Sequence, residues 1–261
     1  MVIQTPSSAA NSDTRWIKLM PIVLTSLFLL AACGQTTEAP APEEPVAADT
    51  EADTSPPSQL TVHPLPIEWN DEREVLTVAY RAAHQASTPG TATIEPRVVV
   101  LHWTAGNTVQ SAFSVFNPVR LQGRPELSGA SALNVSAHFV VDQDGTIHQL
   151  LPTTTMARHV IGLNHISIGI ENVGGTSDLP LTQAQIDANI ALVEHLSRQH
   201  DVEWLIGHHE YQQMQDTPLW DELDPTYRTT KVDPGDEFVH AVWAGVDRPS
   251  LQRAPMPSAV E

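Results

Sequence analysis

Cysteine occurs once in the 261-residue chain, at Cys33, so no disulfide can form within it. Cationic side chains are also scarce. Thirteen Lys and Arg stand against 31 Asp and Glu, a formal net charge of −18. So acidic a chain lacks the basic face on which nucleic-acid binding rests, and it has no electrostatic attraction to an anionic bilayer. A spanning hydrophobic segment is missing as well. The apolar run from Leu19 to Ala32 falls short of the roughly 20 residues that a membrane-crossing helix needs. What remains is ample for a core, since 41 % of the residues are apolar. The 21 prolines are clustered rather than spread, which points to extensions around one ordinary domain.

The run from Leu19 follows Arg15 and Lys18 and has the form of an export signal. It closes on Leu30-Ala31-Ala32-Cys33, which resembles the lipobox of bacterial lipoproteins. That resemblance implies acylation of Cys33 as the first mature residue. Gly34 in the next position resembles the pattern for sorting to the outer membrane of Gram-negative bacteria. The expectation is a protein lipid-anchored at Cys33 to the outer membrane, facing the periplasm, with no other membrane contact. With that thiol consumed, any metal must be held by His, Asp or Glu. Residues 34–58 are Pro, Ala, Thr and acidic residues without hydrophobic periodicity. They read as a disordered tether, with a reach of roughly 25–30 Å. The expected organisation is a signal at 1–32, the lipidated Cys and tether at 33–63, a folded domain at 64–247 and a disordered tail at 248–261.

Within the domain, 68–85 reads as a helix with Val75, Leu76 and Ala79 on its apolar side. Arg97 to His102 is a β-branched run that marks a strand buried on both faces. A helix is expected at 108–116, and strands at 136–141 and 146–151 around the turn Asp142-Gln143-Asp144-Gly145. A further strand is expected at 167–172 and another at 204–207. The helix over 182–200 has a capping box in Thr182 and Gln185 and an apolar face of Ile186, Ile190, Val193 and Leu196. The chain turns irregular after His209, and a short helix starts at Asp236. Strands and helices that interleave in this way give an α/β class, with a mixed central β-sheet flanked by helices.

Four short stretches carry ionisable residues at or just past strand ends: LHWTAG (101–106), SIGIEN (167–172), IGHHE (206–210) and KVDPG (231–235). Together with NVSAHFVVDQDGTIHQL (134–150) and ARHVIGLNHISIGIENVGG (157–175), they resemble the type 2 N-acetylmuramoyl-L-alanine amidases. This zinc fold is shared with peptidoglycan recognition proteins and the phage T7-type lysozyme. The similarity runs from Val98 to Phe238, with the motifs in the family's order. It implies one zinc ion held by His102, His208 and Asp233, an open position for water, and Glu171 and Lys231 as catalytic groups. The implied reaction is hydrolysis of the amide between the lactyl group of N-acetylmuramic acid and L-alanine, in peptidoglycan or its fragments, for wall turnover or recycling. Glu171 would act as the general base, and Lys231 would stabilise the oxyanion. His159, Asn164 and His138 match positions near the substrate.

Spacing alone leaves His209 as a rival to His208, and Asp216, Asp221 and Asp224 as rivals to Asp233. About twenty residues, 210–230, separate the last two motifs where many relatives have a short loop. Three other functions remain open to the sequence: a peptidoglycan-binding module without activity, a zinc peptidase acting on the stem peptide, and a structural tether. The peptidase reading lacks the HExxH pattern.

Overall fold

The computed structural model describes residues 60–87 and 90–256. The export signal, Cys33 and most of the expected tether lie outside the described residues. Six strands form one sheet: β1 (Val62–Pro64), β2 (Val98–Trp103), β3 (Phe139–Val141), β4 (Ile147–Gln149), β5 (Ser167–Asn172) and β6 (Trp204–Gly207). Their order is β1-β4-β3-β5-β2-β6. Only β3 and β4 run antiparallel; the other neighbours are parallel. The helices are α1 (Asp71–His84), α2 (Val109–Phe116), α3 (Pro125–Ser128), α4 (Gln183–Gln199) and α5 (Asp236–Gly245), with a 3-10 helix at His208–Asp216. The expected α/β class with a mixed sheet is the observed one. No helix among the described residues is long and apolar enough to cross a membrane.

Side chains alternate across a strand, and β2 uses both sides. Val98 and Val100 enter one core with Ile206, Val140 and Met156. Val99 and Leu101 enter the other with Ile168, Ile170, Leu192, Val193, Phe238 and Val242. Helices α4 and α5 cover that second face. Burying an aliphatic side chain of this size contributes roughly 1.5–3 kcal/mol, so the central strands are the best-anchored part of the molecule. Thr182 and Gln185 form the expected capping box at the start of α4.

The apolar side expected for α1 is corrected. Its buried residues are Arg73, Thr77, Tyr80, Arg81 and His84, whereas Val75 is exposed. The long cations win the inner face because irregular loops present them with carbonyls. Arg73 donates to the carbonyls of Phe116, Asn117 and Pro118, and Arg81 to those of Thr91 and Thr93. On α4 the buried face carries Gln185 and Asn189, while Ile186 and Ile190 are only partly covered. Both expected domain boundaries also move outward. Val62–Pro64 pairs with β4. Beyond residue 248, the Leu205 N–H donates to the Gln252 carbonyl at 2.9 Å, and Leu251 is buried. Gln252 bridges to Trp204 of β6 and Arg253 pairs with Glu210, so this stretch is held against the domain rather than forming a loose tail. Neither segment has the periodicity that marks a strand in sequence.

The inserted residues 210–230 fold back onto α1 and the loop before β5. Glu222 pairs with His84 Nδ1 at 2.9 Å, and His84 Nε2 donates to the Ala130 carbonyl at 3.1 Å. The His84 ring lies between Tyr80 and Tyr227. Two acceptors on one imidazole favour the imidazolium. Burial opposes that charge, but the bonds to Glu222 and Ala130 outweigh it and raise the His84 pKa. A raised folded-state pKa gives stability that is complete below the unfolded value of about 6.5 and fades as pH climbs through the folded value. Glu222→Gln should therefore cost about 2 kcal/mol at pH 6, the scale of a charged hydrogen bond, and much less at pH 9, read by denaturant unfolding at both pH values.

Candidate metal centre and active-site cavity

The site is assembled at the C-terminal ends of three adjacent strands, β5, β2 and β6. His102 and Glu171 are register partners across β2 and β5. Val98, Val100 and His102 share one face of β2, because alternate residues point the same way. Glu171 shares that face of β5, since Ile168 and Ile170 fill the opposite core. Leu101 pairs with Gly207, which brings His208 level with His102. Ile206 belongs to the same core as Val100, so the residue two places on, His208, returns to that face.

Three donor atoms converge there. His102 Nδ1 lies 3.0 Å from His208 Nδ1, His208 Nδ1 lies 3.0 Å from Asp233 Oδ2, and His102 Nδ1 lies 3.3 Å from that oxygen. Ligands of a tetrahedral zinc at 2.0–2.1 Å stand about 3.4 Å apart. Two imidazole nitrogens and a carboxylate oxygen facing one point at this spacing fit such an ion, and the donor chemistry suits it. Burial opposes charge on Asp233, but the His102 and His208 bonds outweigh it and hold the carboxyl well below the usual range. Burial, reinforced by His102, pushes His208 down to about 3, so it offers a bare nitrogen.

His209 is excluded from this cluster. Its Nδ1 meets the Asp233 carbonyl at 3.0 Å and its Nε2 meets Asp236 Oδ1 at 2.8 Å. His209, Glu210 and Asp236 form a second group of potential ligands. Glu210, however, already accepts from the Gly207 N–H at 2.7 Å and from Arg253 at 2.7 Å. Of the rival acids, Asp221 binds Ala86 and Ser87, and Asp224 caps Thr226. Asp216 joins neither group of potential ligands.

A cavity of ≈ 200 Å³ opens beside the cluster, lined by His102, His159, Asn164, Glu171, His208, Lys231 and Asp233 among others. Glu171 is buried, and its Oε2 has no hydrogen-bond partner. Burial pushes its pKa up to about 7, with Asp233 adding to the rise and His102, Arg124 and Lys231 opposing it. A carboxyl poised there can take or give a proton at neutral pH.

The three residues expected at the substrate fare differently. His138 does not line the cavity. It is fully buried, Nδ1 accepts from the Gly169 N–H at 3.0 Å and Nε2 donates to the Thr155 carbonyl at 2.9 Å. Its expected substrate contact is corrected to a packing role. Asn164 borders the cavity, but its Oδ1 accepts from the His159 and Val160 N–H groups and its Nδ2 donates to Tyr80 Oη. His159 borders the cavity and bonds to His102.

Sequence reasoning did not single out Tyr80, Arg124, Arg158 or Tyr227, all of which line the cavity. The insertion supplies one wall. Arg158 donates to Tyr227 Oη at 3.0 Å and stacks over Tyr80, and Trp220 covers Gly162, where an added Cβ would strike its ring. Among the described residues, Arg124, Arg198 and Lys231 are the Lys and Arg side chains without a hydrogen bond or ion pair, and two of these three face the cavity. Scarcity of cations was the available signal for Arg124.

A family model described as N-acetylmuramoyl-L-alanine amidase matches residues 92–236, more than half of the chain. The endolysin of Escherichia phage T7 is 32 % identical over 83 residues, 30 % of this chain and 55 % of the endolysin, so the chain spans about half the length of that relative. Among solved structures, the N-acetylmuramoyl-L-alanine amidase LysC from Clostridium intestinale is 19 % identical with a TM-score of 0.41, over 59 % of this chain and 87 % of that one. A human peptidoglycan recognition protein in complex with a muramyl pentapeptide is 16 % identical with a TM-score of 0.40, over 61 % and 91 %. With its motifs in place and the family model spanning β2 to β6 and the segments of His208 and Asp233, the chain belongs to the N-acetylmuramoyl-L-alanine amidase family.

Proposed function

We propose that this protein hydrolyses the amide bond between the lactyl group of N-acetylmuramic acid and L-alanine in peptidoglycan or its fragments. In this reading a zinc ion is held by His102, His208 and Asp233. The observation that carries it is the triangle of three donor atoms 3.0–3.3 Å apart, set beside a buried carboxyl with an unpartnered oxygen. When bound, the ion supplies Lewis acidity to water and to the scissile carbonyl. Glu171 takes the proton of the attacking water and passes it to the leaving amine of L-alanine. Its pKa of about 7 suits both transfers. Lys231, at the cavity wall, donates to the oxyanion that develops on the carbonyl. Arg124 adds a second free cation for an anionic stem peptide.

We propose further that the domain is delivered by the signal at 1–32 and anchored through a lipid on Cys33. The tether at 34–58 would then let it reach the wall from the periplasmic face of the outer membrane, in wall turnover or recycling.

Mass spectrometry of products from a muramyl peptide should find free peptide beginning with L-alanine; a cut inside the peptide would instead indicate a peptidase. Chelation should abolish release, and zinc should restore it. Glu171→Gln should lower kcat/KM by roughly 10²–10⁴ with zinc content unchanged. His208→Ala should lose the metal while His209→Ala keeps one equivalent, measured by metal analysis; equal retention would reassign the ligand. Cys33→Ser should move the protein from the membrane to the soluble fraction, and continued membrane association would refute the anchor.

A further inference from the structure

His159 borders the cavity, yet neither of its ring nitrogens is free. Nδ1 lies 3.0 Å from His102 Nε2, and Nε2 lies 3.2 Å from Ser167 Oγ. The ring is held from other sides too. Asn164 Oδ1 accepts the His159 backbone N–H at 2.9 Å. The imidazole rests on Gly169, where an added Cβ would approach its Cγ and Nδ1 to 2.8 Å. A substrate could meet only the carbon edge of this ring.

We propose that His159 and Ser167 form a hydrogen-bond relay that sets the tautomer of His102, making His159 a positioning residue for the metal ligand. The inference rests on the zinc reading above. One proton can lie between His102 Nε2 and His159 Nδ1, and two directions exist. If Ser167 donates to His159 Nε2, then His159 donates from Nδ1, and neutral His102 must carry its proton on Nδ1. That proton would point at His208 Nδ1 and Asp233 Oδ2, where a metal must sit. In the opposite direction His102 donates from Nε2 to His159 Nδ1, and His159 donates from Nε2 to Ser167 Oγ. His102 Nδ1 is then bare and faces the two other donors. Ligating histidines generally donate their second N–H to a fixed acceptor. Here the acceptor is a second imidazole, whose own Nε2 proton a buried serine oxygen accepts. Gly169 is required because any side chain there would displace the ring.

The test is zinc affinity of the full-length chain, by competition with a chromogenic chelator. His159→Leu removes the acceptor and should weaken binding about 10–100-fold. His159→Asn keeps a polar atom at the Nδ1 position and should stay within a few-fold of wild type. Gly169→Ala and Ser167→Ala should both weaken binding. Wild-type affinity in His159→Leu would overturn the relay, and so would equal loss in the Asn and Leu variants. Should His159→Leu fail to fold, unchanged affinity in Ser167→Ala overturns it instead. Imidazole ¹⁵N spectra of the wild type give an independent reading: both His102 and His159 should be protonated at Nε2, and an Nδ1 proton on His159 would refute the relay. Absence of zinc binding by the wild type would refute the metal reading, while these spectra would still decide the relay's direction.

Discussion

The site depends on one constraint, the parallel register of β5, β2 and β6. Register fixes which residues stand level, and the two-residue period fixes which face each one takes. His102 and Glu171 are level and on one face because Leu101 and Ile170 are committed to the opposite core. A slip of one residue would turn both side chains into an apolar interior. The valines and isoleucines of these strands therefore do more than supply burial energy, since they hold the ionisable residues to the cavity side. Polar contacts reinforce the level. Asn172 donates to the His102 carbonyl at 3.0 Å and accepts from Asn189 of α4 at 2.7 Å, which ties the end of β2 to a helix behind the sheet.

Outside the sheet, the cavity walls are irregular loops, and loops leave carbonyls without partners. This chain answers with buried arginines. Arg158 joins the carbonyls of Ser131, Leu133 and Leu127 to the Tyr227 hydroxyl, while Arg73 gathers three carbonyls at the end of α2. None of these contacts involves a carboxylate, so a protein with few cations spends several of them on its own backbone. That use makes the unpartnered Arg124 and Lys231 at the cavity more telling.

Sequence legibility followed the strength of local periodicity. Strands at 167–172 and 204–207 and the helices at 109–116 and 183–199 stand where pattern and capping put them, within a residue or so at each end. The grouping of His102, His208 and Asp233 was readable from motif order, and His208 over His209 in that group is explained by strand parity once Ile206 is assigned to its core. Three features were not readable. The inner face of α1 carries cations whose partners are distant carbonyls, so no helical apolar stripe announces it. β1 and α3 are too short, at three and four residues, to show a period. His138 sits in a motif beside the site but points into the sheet, where its nitrogens complete bonds to Gly169 and Thr155. Motif proximity could not separate a packed imidazole from one in contact with substrate.

The lengthened loop between His208 and Asp233 raises a physical difficulty, because a ligand at the end of a long flexible segment would be poorly placed. The structure removes that freedom at both ends. Tyr211 Oη donates to the Thr229 carbonyl at 2.7 Å and accepts the Thr229 N–H at 2.9 Å, which closes the insertion at its base. The His209 N–H holds the Asp233 carbonyl at 2.8 Å, so the two ligand segments are joined through the backbone beside the donors. Between these clips the insertion is fastened to α1 by Glu222, to Ala86 and Ser87 just past that helix by Asp221, and to the loop before β5 by Trp220. The extra residues can therefore extend the cavity wall through Tyr227 without adding slack to Asp233. Length was accommodated outside the closed base, and the convergence of His102, His208 and Asp233 is the same problem it would be with a short loop.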